Sequence, residues 1–376
     1  MIEGPRAAIG TELPGVIALS NAVFNPEAKG DMGAAFPTLF HPDNLHNLRI
    51  CLDSGRPVSL VGVAVRDIEL GGARLRAACI GSVCTLEPYR GRGLAGRLMD
   101  DAIAAALAQG AVIILVSGGR GLYRRMGCID AGLFRTVKVE AGSRFPAMRL
   151  AVREWAPADV GGMAALQRTE PVRWLRGEEE TRLLLATNRI YARPGGTWVV
   201  HAEGKLAAWF SASDPDREND GAGPAVREIA GSRLAALAAL PAVLGRRKLP
   251  YANVVAVASD LELELQASVF GLHAEIRGFH GTVKIIDPPG LFRSLDGWIA
   301  ERLGPIEKGR LQVEHGAGTT FRHGGQSLAL GGVEDLAALV FGSVERALPL
   351  LPPGPLSEVL RRIFPVPLPC YGLSYI

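Results

Sequence analysis

The stretch Glu87-Pro88-Tyr89-Arg90-Gly91-Arg92-Gly93-Leu94-Ala95 decides the fold. The run Arg74 to Leu86 reads as a strand entering it, and Leu94 to Gln109, closed by Gly110, reads as the helix leaving it. A glycine-rich turn between strand and helix suits phosphate. Its glycines let the backbone approach an anion and turn N–H groups toward it, and the helix N-terminus adds positive potential. Arg90 and Arg92 add charge-assisted bonds of the kind a pyrophosphate accepts. The loop is not of the Walker type, because no Gly-Lys-Ser/Thr follows. Nor is it a good dinucleotide fingerprint: Gly91-Arg92-Gly93-Leu94-Ala95-Gly96 follows several strands, and no acidic residue ends a strand about 20 positions on. The plain alternative is a tight turn with exposed arginines.

Working outward, Leu13 to Phe24 has apolar residues at helical spacing, and strands at Pro57 to Val65 and Arg74 to Leu86 flank a Gly71-Gly72 turn. Ala111 to Val116 suits a buried parallel strand, followed by a short helix at Gly121 to Met126 and a final strand at Gly132 to Glu140. This is one α/β domain, residues 1–146. A weaker echo occupies 147–286. It has a helix at Pro157 to Gln167, a hairpin at Thr197 to Ser211, a strand at Ala225 to Ile229 entering a helix at Ser232 to Leu244, a buried strand at Val254 to Ala258 and a strand at Gly281 to Ile286. Its counterpart of the glycine-rich turn holds only Gly231, so no cofactor is expected there. After the linker Asp287-Pro288-Pro289-Gly290 a third segment, 287–376, reads as a helix (Leu291 to Leu303), three strands (Leu311 to His315, Thr319 to Arg322, Gln326 to Leu330) and a helix (Val333 to Phe341). A tail rich in proline (Pro349, Pro352, Pro353, Pro355, Pro365, Pro367, Pro369) follows. Its last residues, Cys370 to Ile376, are too apolar to be solvated and are expected to pack.

A chain of 376 residues exceeds the size of a single core, which fits this division. A net charge of +3 without a Lys/Arg stripe gives no footprint for nucleic acid. No run of about 18 apolar residues spans a membrane, and the first residues lack a signal-peptide pattern. Five scattered cysteines without a C-x-x-C pair point to a reducing, cytoplasmic setting and away from disulfides or zinc. His273, His280, His315 and His323 read as surface or loop histidines, so no metal site is expected.

The stretch Glu87 to Ala95 resembles motif A of the GNAT superfamily of N-acetyltransferases, Arg/Gln-x-x-Gly-x-Gly/Ala, although Pro usually stands one place earlier, where this chain has Glu87. The resemblance implies that acetyl-CoA is the co-substrate, with its pantetheine arm along Val83, Cys84 and Thr85 and its pyrophosphate on Arg90, Gly91, Arg92, Gly93, Leu94 and Ala95. A second signature, Ser117-Gly118-Gly119-Arg120-Gly121-Leu122-Tyr123-Arg124-Arg125-Met126-Gly127, resembles the enhanced intracellular survival subfamily. That likeness implies two tandem GNAT-like mixed-sheet domains, only the first active, and a sterol-carrier-like α+β domain at the C-terminus. It further implies a homo-hexamer, Tyr123 as general acid and the terminal carboxylate, here of Ile376, as base. The subfamily often ends in Phe rather than Ile.

The chemistry agrees with these roles. Aminolysis of a thioester needs a group to take the amine's proton, and an α-carboxylate, of ordinary pKa about 3.5, is ionised. The departing thiolate needs a proton, which a phenol can give, and the oxyanion needs an amide donor, which a splayed strand at Val83 to Thr85 leaves free. Taken without the resemblance, Tyr123 reads as a half-buried core aromatic and Ser117 equally well as a plain loop serine. The acceptor is expected to be a small-molecule amine of aminoglycoside or polyamine kind, met by Phe24, Phe36 and Phe40. A protein lysine or N-terminal amine, or a non-catalytic CoA- or lipid-binding role, stand as alternatives.

Overall fold

The computed structural model describes residues 1–27, 30–215, 223–279, 281–344, 351 and 353–376. His280, Pro349 and Pro352 lie outside them. The chain packs into two compact units: Met1–Gly132 with Phe279–Val366 and Ile376, and Leu133–Gly278 with Pro367–Tyr375. Among the described residues no helix is long and apolar enough to cross a membrane.

The first unit opens with β1 (Ile2–Ala7), α1 (Leu13–Phe24), α2 (Met32–Ala35), β2 (Leu48–Asp53), β3 (Arg56–Leu70), β4 (Ala73–Thr85), α3 (Leu94–Ala108), β5 (Ile113–Val116) and α4 (Gly121–Arg125). Its sheet runs β1-β2-β3-β4-β5, antiparallel as far as β4 and parallel between β4 and β5. Gly71 and Gly72, at φ +53° and +91°, turn β3 into β4 through backbone that side chains resist. Leu94, Leu98, Met99, Ala102 and Ala106 form one face of α3 and bury against Val61, Val63, Ala78, Ile80 and Ile114. Each of the larger side chains so buried, the Leu, Met, Val and Ile among them, is worth about 1.5–3 kcal/mol.

The second unit contains β6 (Leu133–Glu140), β7 (Leu150–Glu154), α5 (Val160–Thr169), β8 (Val172–Trp174), α6 (Glu178–Ala186), β9 (Arg189–Ile190), β10 (Arg193–Ala202), β11 (Lys205–Ser213), β12 (Ala225–Gly231), α7 (Arg233–Arg247), β13 (Tyr251–Val257), α8 (Leu261–Val269) and β14 (Ala274–Gly278). The sheet order is β14-β6-β13-β12-β11-β10-β7. The path β7-β10-β11-β12-β13 repeats β1-β2-β3-β4-β5, down to the single parallel pair, β12 with β13. α7 packs Ala236, Leu240, Val243 and Leu244 onto Phe210, Val226 and Val254, as α3 does in the first unit.

Two strands depart from the sequence reading. Leu133–Glu140, expected to finish the first sheet, pairs antiparallel with β13 of the second. The run expected to finish the second, β15 (Thr282–Ile285), pairs antiparallel with β5 of the first. The chain therefore changes units at Gly132 and Phe279. Both runs are short and alternating, and the pattern that fixes which face of a strand is buried does not name the edge it joins.

The rest of the first unit is α9 (Pro288–Ser294), α10 (Asp296–Arg310, broken at Gly304 with φ +72°), an antiparallel sheet of β16 (Gln312–His315), β17 (Thr319–His323) and β18 (Gln326–Leu330), α11 (Val333–Phe341) and α12 (Pro355–Ile363). α12 falls within the tail that the sequence reading described by its prolines and did not assign as a helix. Pro355 occupies its first turn, and Leu356, Val359, Leu360 and Ile363 form its buried face.

Candidate functional site

β4 is irregular at its working end. Gly81 faces Gly62 and Cys84 faces Leu60, so Ser82 and Val83 together oppose Val61 in a β-bulge. Ser82 takes φ +50°, a left-handed conformation that side chains rarely adopt, and its hydroxyl meets that of Ser20, fully buried on α1, at 2.6 Å. A bulge breaks the hydrogen-bond ladder and frees backbone groups for other use. β4 and β5 also part company here. Their parallel register ends at Ile80 with Val116, while β4 continues to Thr85. Val83, Cys84 and Thr85 therefore lie beyond the fork.

Ile376 is seated at that fork. It is 6% exposed, and a Cβ built on Gly81 would stand 2.8 Å from its carbonyl carbon and 2.9 Å from its oxygen. Only glycine at position 81 leaves room for this approach. The sequence reading missed Gly81, Ser82 and Ser20. The one available signal was a Gly-Ser pair inside a strand, which marks a bulge or a close backbone approach.

Beyond the fork, Glu87–Tyr89 make one 3-10 turn, and Gly91 and Gly93 take φ +76° and +73°. No atom lies within 4 Å of a Cβ added at either, so these glycines are required for their backbone conformation and leave open space above them. Arg90, Gly91, Arg92 and Gly93 are exposed. Arg90 Nε donates to the Thr85 carbonyl at 3.2 Å, and Arg92 donates to the Pro88 carbonyl at 3.0 Å while covering the Tyr89 ring. Gly93 caps α3 without a side-chain acceptor, so the first turn at Leu94 and Ala95 keeps its amides for an outside acceptor. This cradle fits the pyrophosphate of acetyl-CoA.

Tyr123 sits on α4, 9% exposed, in the same core cluster as Leu94 and, at its edge, Val83. Its ring edge comes within 3.7 Å of where a Cβ on Gly118 would stand, and Thr282 Oγ1 holds the Gly118 carbonyl at 3.0 Å. Cys84, although in the site, is buried, and burial pushes its thiol up to about 12. It stays protonated near neutrality and is a poor candidate for carrying an acyl group. All five cysteines are free thiols. Of the aromatics expected beside the acceptor, Phe24 is 40% exposed at the end of α1, Phe36 is half-buried, and Phe40 is buried in the core at 5%.

The second unit repeats the fork but closes it. α7 begins without the Arg-Gly-x-Gly loop. Ser232 caps it by accepting from the Ala235 amide, and Glu262 accepts from the Arg233 amide at 2.8 Å. Protein carboxylate thus occupies the place that the first unit leaves for an anion. Pro367–Tyr375 also belong to this unit. Trp174 stacks on Tyr371 and donates to the Cys370 carbonyl at 2.7 Å. The Leu373 amide donates to Glu228 at 2.9 Å, and Arg176 pairs with Glu228 and donates to Ser374 at 3.2 Å. The segment before Ile376 is therefore packed, as its apolar sequence required.

Residues 5–129 match the family described as acetyltransferase (GNAT) domain. The first unit accordingly carries an acetyl-CoA-dependent acyltransferase domain. No curated protein matches the chain in sequence. Among solved structures, a GCN5-related N-acetyltransferase from Kribbella flavida is similar in fold, at 18% identity and a TM-score of 0.65 over 100% of this chain and 98% of that one. Eis1 from Mycobacterium abscessus is similar at 13% identity and 0.62, with 100% of both chains covered. A GCN5-related N-acetyltransferase from Anabaena variabilis gives 14% and 0.61 over 91% of this chain and 90% of that one.

Proposed function

We propose that the chain is an N-acetyltransferase that moves the acetyl group of acetyl-CoA to a primary amine of a small, aminoglycoside- or polyamine-like molecule by direct attack. The observation that carries the mechanism is the seating of Ile376 on Gly81, where β4 and β5 diverge. Val83 to Thr85 and the Arg90 to Ala95 loop hold the co-substrate, which supplies an activated acetyl thioester. The carboxylate of Ile376, a residue only 6% exposed, takes the proton of the attacking amine. The new C–N bond forms as the C–S bond breaks, and the Tyr123 phenol gives its proton to the leaving sulfur. An amide freed by the bulge at Ser82–Val83 faces the developing oxyanion. The high pKa of Cys84 supports direct attack over an acyl-cysteine route.

In the same reading residues 147–286 are a non-catalytic GNAT-like repeat, residues 287–376 form a sterol-carrier-like module, and the assembly is a cytoplasmic homo-hexamer. The helices and three-stranded sheet of 288–363 are compatible with that module. Thiol release from acetyl-CoA, measured against aminoglycosides, polyamines, lysine peptides and peptides with free N-termini, tests the function. Turnover with the first two classes supports it. Turnover with peptides alone favours a protein acetyltransferase, and none with any amine leaves a binding protein. Light scattering tests the hexamer.

A further inference from the structure

The closed fork of the second unit contains a cavity of about 510 Å³, within the range of small-molecule sites. Pro171, Trp174, Trp209, Ile229 and Val255 give it apolar walls. Its carboxylates already face donors. Glu170 accepts from Arg233 and from the Gly231 amide, and Asp260 from Arg233 and the Leu263 amide. Glu228 accepts from Arg176, Gln167 and the Leu373 amide, and Glu262 from the Arg233 amide.

Arg227 is different. It also lines the cavity, is only 5% exposed, and is the extra residue of a bulge in β12, between Val226 opposite Ala212 and Glu228 opposite Ser211. Its Nε and Nη1 have no hydrogen-bond partner among the described residues. The Tyr191 ring covers the guanidinium at 4.3 Å, which engages its face and not its in-plane N–H groups. Arg173, on the same wall, donates to the Glu170 carbonyl at 2.6 Å and has no carboxylate partner among the described residues. A buried cation with unmade hydrogen bonds is costly unless something supplies an acceptor. The unspent charged capacity of the cavity is donor capacity.

We propose that this cavity is a second ligand site, for a small organic anion whose carboxylate or phosphate head pairs with Arg227 and whose apolar body lies against Trp174 and Trp209. The ligand is not CoA held by its pyrophosphate, because Ser232 and Glu262 close the α7 N-terminus. Calorimetric titration of the full chain, its Arg90 to Ala95 loop already saturated with CoA, with benzoate and with phenyl phosphate tests the site, with benzyl alcohol as the uncharged probe of like body. Saturable binding of either anion at millimolar concentration, absent for benzyl alcohol, is expected. Arg227→Gln should weaken it about tenfold or more, and Arg227→Lys should restore part of it. Circular dichroism establishes that each variant is folded. Equal binding of benzyl alcohol, no binding of either anion to the wild-type chain, or undiminished binding by folded Arg227→Gln would overturn the proposal. The wild-type comparison of probes decides even if Arg227→Gln does not fold.

Discussion

Gly81→Ala is the most informative single change, because it adds one methyl group at the fork. The new Cβ would meet the Ile376 carbonyl carbon at 2.8 Å, its oxygen at 2.9 Å and its Cγ1 at 3.0 Å. Carbon atoms sit comfortably about 3.5 Å apart or more, so the chain end must retreat by roughly 0.7 Å. Gly81 is not among the residues with positive φ, so alanine fits its backbone and the strand should keep its stability. Displacing a reacting group by about 1 Å costs on the order of 10²-fold in rate, which corresponds to about 2.7 kcal/mol. The expected result is therefore a kcat lower by about 10²-fold, read by thiol release, with acetyl-CoA affinity unchanged by calorimetry because the loop at Arg90 to Ala95 is untouched. Wild-type kcat in a folded Gly81→Ala protein would refute the reasoning that Ile376 acts from this seat.

Three further outcomes follow from the same geometry. Tyr123→Phe should lower kcat by about 10²-fold with acetyl-CoA affinity nearly constant, since only the proton donor is lost; unchanged turnover would make Tyr123 a packing residue. One or two residues added after Ile376, or removal of Tyr375 and Ile376, should depress kcat strongly while an N-terminal tag does not; steady-state kinetics on the folded proteins decides. Arg233→Ala should destabilise the second unit by about 3–5 kcal/mol, because Glu170 and Asp260 would be left buried without their shared partner; hydrogen exchange of β12 and β13 measures it.

The turn-to-helix shape of Arg90 to Ala95 was legible because residue types carry it: two glycines at positive φ and a helix start, all adjacent in sequence. The long hairpin of β3 and β4, and α11 at Val333–Phe341, were legible through periodicity. The bulge at Ser82–Val83 was not, because a serine at φ +50° is held there by its surroundings, including the Ser20 hydroxyl. The edge joined by β6 and β15 was hidden for a similar reason, since strand pairing is a long-range event that local pattern does not encode. α12 was masked by the prolines around it, although Pro355 at its start is a helix-opening signal.

The central claim, acetyl transfer from acetyl-CoA held by the Arg90 to Ala95 loop to a small amine, is tested most directly by following the acetyl group itself. Acetyl-CoA labelled with ¹³C in the acetyl carbonyl, incubated with the full chain and a polyamine or aminoglycoside, should give a labelled N-acetyl product by mass spectrometry. Folded Gly93→Asp, which places a carboxylate where the loop receives phosphate, should give none and should fail to bind acetyl-CoA. A wild-type protein that binds acetyl-CoA but labels no amine, or a Gly93→Asp protein that labels it as fast as wild type, would contradict the account.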